Sequence, residues 1–114
     1  MSPGDFTEAD SWGGRPVAHK ISEATPRGRL VVSGVIGETA VSADHGSPSL
    51  CCTLDDGTGE IGLLFVGRRQ VAGVVTGARC TVEGTARMEG GRLVVWNPVY
   101  VLDPVGLDHP GAVK

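Results

Sequence analysis

Aromatic side chains are scarce in this chain: Phe6, Trp12, Phe65, Trp96 and Tyr100 are all it has in 114 residues. A protein that grips single strands by stacking bases on rings therefore has little to stack with. Excess positive charge is missing as well. Ten Lys and Arg stand against thirteen Asp and Glu, a net −3, which argues against a tight, sequence-independent hold on phosphate. The three cysteines, Cys51, Cys52 and Cys80, form no CxxC, and His19, His45 and His109 lie far from them in sequence. Neither a metal site nor a disulfide framework is expected from that spacing. Adjacent strand residues face opposite ways, so one of Cys51 and Cys52 belongs to the core and the other faces out. Reduced thiols in a cytoplasmic protein are expected.

Long hydrophobic runs are absent too. No segment approaches the ~20 apolar residues of a membrane span, and no apolar leader follows Met1. No serine sits in a nucleophile elbow, and the glycines form neither a P-loop nor a dinucleotide fingerprint. Asp55 and Asp56 are neighbours, but a turn accounts for both without chemistry. The expectation is a protein that is not an enzyme and needs no metal or cofactor.

What is present is β structure. Eighteen glycines spread along the chain suit many short strands and turns. The stretch Leu50 to Gly67 organises the rest: Leu50–Leu54 and Glu60–Val66 are apolar runs separated by Asp55-Asp56-Gly57-Thr58-Gly59. Asp-Gly supplies the positive φ of a tight hairpin, so these residues are predicted to form two antiparallel strands. Before them, Arg29 to Val41 is rich in β-branched residues and carries Gly34 and Gly37, which predict a long first strand with a bend. Ser42 to Ser49 reads as a polar loop. Gly67 to Gly77 leaves room for one helical turn at most, around Arg69 to Ala72. Ala78 to Ala86 alternates again, Gly90-Gly91 marks a second turn, and Arg92 to Leu102 is predicted as the last strand. Pro98 cannot donate to a ladder and implies an edge, bulge or strand end there.

Residues 1–26 show no sustained period. The first fifteen or so are expected to be mobile, residues 6–11 have room for a turn of helix, and Val17 and Ile21 are placed to dock on the body. Residues 103–114, with Pro104 and Pro110, read as a tail. One domain over 27–102 is expected: an all-β, five-stranded Greek-key barrel of the OB type, with a loose N-terminal segment.

Charge is uneven along the chain. Residues 1–26 set Asp5, Glu8, Asp10 and Glu23 against Arg15 and Lys20, whereas residues 27–102 balance seven arginines with seven acids. Arg suits bidentate phosphate contact better than Lys. Arg68-Arg69, on a glycine-hinged loop, is the leading candidate for a phosphate clamp. Arg79, Arg87 and Arg92 are interspersed with Glu83 and Glu89, and cross-strand ion pairing is their expected use. Trp96 and Tyr100 lie four apart, on one face unless Pro98 brings a bulge. Trp96 is expected to pack, and the Tyr100 hydroxyl to seek water or a partner.

Arg29-Leu30-Val31-Val32-Ser33-Gly34-Val35, Leu54-Asp55-Asp56-Gly57-Thr58-Gly59 and Val82-Glu83-Gly84 resemble the OB-fold of the tRNA-anticodon-binding type. Phe65-Val66-Gly67-Arg68-Arg69 and Asn97-Pro98-Val99-Tyr100 are similar to small stand-alone OB proteins of high-GC bacteria described as nucleic-acid-binding. The resemblance covers about residues 27–102. It implies a non-catalytic module for single-stranded DNA or RNA, weak and of little sequence specificity. The site would centre on Arg68, Arg69 and Phe65, with Arg29 and Arg92 as outlying phosphate contacts. By alternation Leu30, Val32, Cys52, Leu54, Ile61 and Leu63 face the core, while Val31, Ser33, Cys51, Thr53, Gly62 and Leu64 face out. That outward face is aliphatic, so a protein partner or self-association is the alternative expectation.

Overall fold

A computed structural model describes residues 17–44 and 46–102. The predicted features at residues 6–11, the mobile start, His45, His109 and the 103–114 tail lie outside the described residues. The strands are β1 (Val17–Ala18), β2 (Arg29–Ser42), β3 (Ser49–Asp55), β4 (Glu60–Phe65), β5 (Arg79–Glu89), β6 (Arg92–Trp96) and β7 (Val99–Leu102). The one helical element among the described residues is a 3₁₀ turn, Ile21–Glu23. It precedes the barrel, and the 66–78 connection where a turn of helix had room is a chain of turns instead.

The neighbours run β2–β3–β4–β6–β5, and β5 returns to β2, so five strands close a ring. The β4–β6 pair is parallel and the other four ring contacts are antiparallel. This is the Greek-key order expected of an OB barrel. β2 serves both halves of it. Val31 pairs with Glu83 and Ile36 with Leu54, and the register shifts between Ile36 and Thr39, at Gly37. Gly34 lets the chain bend there, because a Cβ on it would sit 2.5 Å from the Asp55 carbonyl oxygen.

The interior holds Leu30, Val32, Ile36, Leu54, Ile61, Leu63, Val82 and Val95, all nearly solvent-free. Val71 and Val74 from the 66–78 connection join that core, as does Ile21 from the N-terminal segment. Val17 and Ile21 do dock on the body. β1 runs parallel to the start of β2, with Val17 opposite Arg29. The Ile21 N–H donates to Asp56 Oδ2 at 2.9 Å and the Ser22 N–H to Thr58 Oγ1 at 3.1 Å. The hairpin turn that joins β3 to β4 thus also receives a strap from 35 residues upstream.

The last strand is broken where Pro98 stands. Asn97 adopts φ 49°, a left-handed conformation that asparagine tolerates better than most residues. Its backbone N–H donates to the Leu64 carbonyl, and its side chain accepts from the Val66 N–H at 2.9 Å. The break sends β7 onto the N-terminal half of β5, while β6 holds the C-terminal half. Trp96 and Tyr100 therefore do not share a face. No helix among the described residues is long and apolar enough to cross a membrane.

Candidate nucleic-acid interface

The outward residues of the ring form rows that the register defines. Cys51, Leu64 and Trp96 stand abreast on β3, β4 and β6. Thr53, Gly62, Val94 and Arg87 make the next row, running on into β5. Over these rows lies an open groove of about 530 Å³. Its floor is Ala40, Cys51, Thr53, Gly62, Leu64 and Val94, and Glu38, Glu89 and Arg92 stand on its rim. Gly62 makes the floor shallow: a Cβ there would come within 3.2 Å of Val94 Cγ2 and 3.7 Å of Arg92 Nε.

Three charged and aromatic side chains lock together at the β5–β6 side. The Trp96 indole N–H donates to Glu89 Oε2 at 2.6 Å, and the Arg87 guanidinium lies 4.5 Å from the centre of the Trp96 ring. Arg87 is 4.0 Å from the same Glu89 carboxylate. Cation–π contact and charge-assisted hydrogen bonding hold the indole in place on the outside of the barrel. Trp96 packs, as expected, but on the outer face, and Arg87 pairs with an acid on its own strand rather than across the hairpin as expected. Sequence reasoning did not combine them, because their meeting depends on the β5–β6 register.

The five residues predicted as a site are not one surface. Phe65 is buried, 3% exposed, and meets Tyr100 edge to face with centroids 5.8 Å apart. It is a core residue and offers no ring face to a base. The alternation that turns Ile61 and Leu63 inward turns Phe65 inward too, so the signal was present. Leu64 points outward as predicted but is 2% exposed, flanked by Cys51 and Trp96. Val31 is half-buried, so the aliphatic face is largely closed. Arg29 is mostly buried and ion-paired with Glu83 on the β2–β5 face. Arg92 stays on the groove rim, 3.9 Å from Glu60 Oε1 and opposite Glu89 in register. Arg68 and Arg69 are both exposed on the turn after β4, where the Arg68 N–H meets the Phe65 carbonyl. Arg69 borders a second groove of about 620 Å³, which shares Thr39 and Ala40 with the first.

The thiols differ. Cys51 is half-buried on the floor, and burial, reinforced by the Asp44 charge, raises its pKa. Cys52 faces the core; burial, with Cys80 and Cys51 nearby, pushes its thiol up to about 12. Burial also raises Cys80. None is an activated nucleophile. Among the described residues no three His, Cys, Asp or Glu side chains are placed to hold a metal ion.

No protein-family model matches the chain. No curated protein sequence matches it either. Solved structures do. The crystal structure of the S. pombe Stn1–Ten1 complex aligns with a TM-score of 0.52 at 14% identity, over 68% of this chain and 61% of that one. This chain has the OB fold. At that identity the likeness shows the fold alone, and this chain spans less than two thirds of the length of the chain it matches.

Proposed function

We propose that this OB barrel is a non-catalytic binding module whose strand-face groove takes single-stranded DNA or RNA, weakly and with little sequence preference. The observation that carries this is the groove itself. It is open, crosses β2, β3, β4 and β6, and has the Arg87-capped Trp96 beside it. An indole with a guanidinium above it offers stacking and charge at one point, and stacking is worth about 1–3 kcal/mol per base. Arg92 on the rim and Arg68 after β4 supply phosphate contacts. Affinity stays low because Glu38, Glu60 and Glu89 offset those cations. The Asp-Gly-Thr-Gly hairpin and Val82-Glu83-Gly84 support placing the barrel with the tRNA-anticodon-binding type, and Phe65-Val66-Gly67-Arg68-Arg69 with Asn97-Pro98-Val99-Tyr100 support placing it with the small OB proteins of high-GC bacteria. Three free thiols suit a reducing cytoplasm.

The test is fluorescence anisotropy of labelled single-stranded DNA and RNA oligonucleotides at two salt concentrations. Binding should weaken as salt rises, and Arg87→Ala with Trp96→Phe should weaken it further. No binding at low salt with tens of micromolar protein, roughly the weak end of non-specific affinity, would overturn the reading. A second reading, a protein-interaction or oligomerisation module, is favoured by those same rim carboxylates over an apolar floor. The similar structure is itself a complex of two proteins. A concentration-dependent dimer in light scattering would favour it.

A further inference from the structure

Among the described residues, the outer half of β2 is a strand edge that the ring leaves open, as are the outer edges of β1 and β7. β2 pairs with β5 through Val35, and its next two partners on that side are the backbone of Gly77 and Ala78 at Ile36. Beyond that, Thr76 Oγ1 reaches the Gly37 carbonyl at 2.8 Å. Residues 39–42 pair with β3 on their other side, but on this side no described backbone group bonds to them. Glu38, Thr39, Ala40 and Val41 are all exposed in consequence. An unpaired edge is a template for another strand.

That edge forms one wall of the second groove, and the 69–75 segment forms the other. Its floor is apolar, with Leu50, Val71 and Val74 at its base. Three of the six exposed large hydrophobic residues among the described ones gather around it. Val41 is 50% and Val75 is 59% exposed, and Leu102, 40% exposed, touches the position a Gly73 Cβ would take. The single charged lining residue is Arg69, which makes no ion pair among the described residues, and no carboxylate lines the groove.

We infer that this groove binds an extended peptide segment of a partner protein, added as a strand along residues 39–42, with alternating apolar residues and an acidic residue facing Arg69. Three features select that occupant. The open backbone edge needs main-chain donors and acceptors in strand register, which a peptide supplies and a nucleic acid does not. The floor takes every second side chain. The lone guanidinium in an acid-free groove complements a carboxylate. The two grooves meet at Thr39 and Ala40, but the inference rests on the open backbone edge, Arg69 and the 69–75 wall, none of which the proposed function uses.

The test uses the full chain, ¹⁵N-labelled, with an eight-residue fluorescein-labelled peptide alternating valine and glutamate. Chemical-shift changes should be confined to residues 39–42 and 69–75. Arg69→Glu should weaken binding by about fivefold, the scale of one partly exposed ion pair. A valine–lysine peptide should bind the Arg69→Glu variant better than the parent, which excludes a mere folding defect. The valine–glutamate peptide with alternate amide nitrogens methylated along the pairing edge should not bind. Shifts on the strand face, equal binding by Arg69→Glu, retained binding of the methylated peptide, or an oligonucleotide that shifts 39–42 and 69–75 where the peptide does not would each overturn the inference.

Discussion

Replacing Asp56 by alanine removes four accepted hydrogen bonds at once. Its Oδ1 takes the Thr58 N–H at 2.9 Å, the Thr58 hydroxyl at 2.7 Å and the Gly59 N–H at 3.2 Å, and its Oδ2 takes the Ile21 N–H. Three of these shape the turn itself, and together they resemble a helix cap, for which truncation costs about 1 kcal/mol. The fourth is part-buried and reaches the N-terminal strap, and a stranded donor there costs about 1–3 kcal/mol. We expect Asp56→Ala to lose about 2–3 kcal/mol, a fall in Tm of roughly 10 °C or more for a domain of this size. In urea the midpoint should drop with the slope unchanged. Asp55→Ala is the control, since Asp55 Oδ1 accepts only the Gly57 N–H, at 2.7 Å. The titration has a definite sign. Burial works to raise the Asp56 pKa, but the bonds from the Thr58 side chain and from the Ile21, Thr58 and Gly59 backbones outweigh it, so the folded value lies below the ordinary one. A depressed carboxyl stabilises above the unfolded pKa of about 3.9, and that contribution is lost as pH falls through the folded value. Asp56→Asn should remove this acid-side component. A loss under about 0.5 kcal/mol, or one equal to that of Asp55→Ala, would refute the strap as a stabilising element.

Three further outcomes follow from the geometry. Gly34→Ala should destabilise by about 2–3 kcal/mol, because the new Cβ meets backbone at Asp55, whereas Gly37→Ala should cost less, since its neighbour is the Thr53 hydroxyl, which can rotate; equal losses in chemical denaturation would contradict this. Native alkylation with iodoacetamide at pH 8, followed by peptide mass spectrometry, should label Cys51 slowly and leave Cys52 and Cys80 untouched until urea is added, given their burial and raised pKa values. Trp96→Ala should cost only the outer-face contacts, about 1–2 kcal/mol, whereas Phe65→Ala should cost about 3–5 kcal/mol as a buried ring, both read by thermal unfolding.

The residues that announced the fold were those whose signals are local. Asp56-Gly57 set the hairpin, and the predicted strands at Leu50–Leu54 and Glu60–Val66 match the observed Ser49–Asp55 and Glu60–Phe65 closely. Gly34 marked the bend of β2 because backbone approach excludes a side chain there, and Gly37 because the Thr53 hydroxyl fills the space beside it. Pro98 announced a break but not its consequence, since where β7 goes depends on Asn97 finding Leu64 and Val66 on another strand. The strap was half legible: Ile21 is apolar enough to dock, yet nothing in its neighbourhood names Asp56 as the receiver. Of the site, Arg92 and Arg68-Arg69 were visible as surface cations. The Arg87–Trp96–Glu89 cluster was not, because its members come together only when two strands are in register.

The parallel ladder between β4 and β6 spans three residue pairs, Gly62 with Val94, Leu63 with Val95 and Leu64 with Trp96. It is the seam at which the β2–β3–β4 meander is sewn to the β5–β6 hairpin. The strand-face groove straddles that stitch, with Gly62 and Leu64 lining it from one side and Arg92 and Val94 from the other. The gauge of the channel is thus held by the shortest line of sewing in the ring.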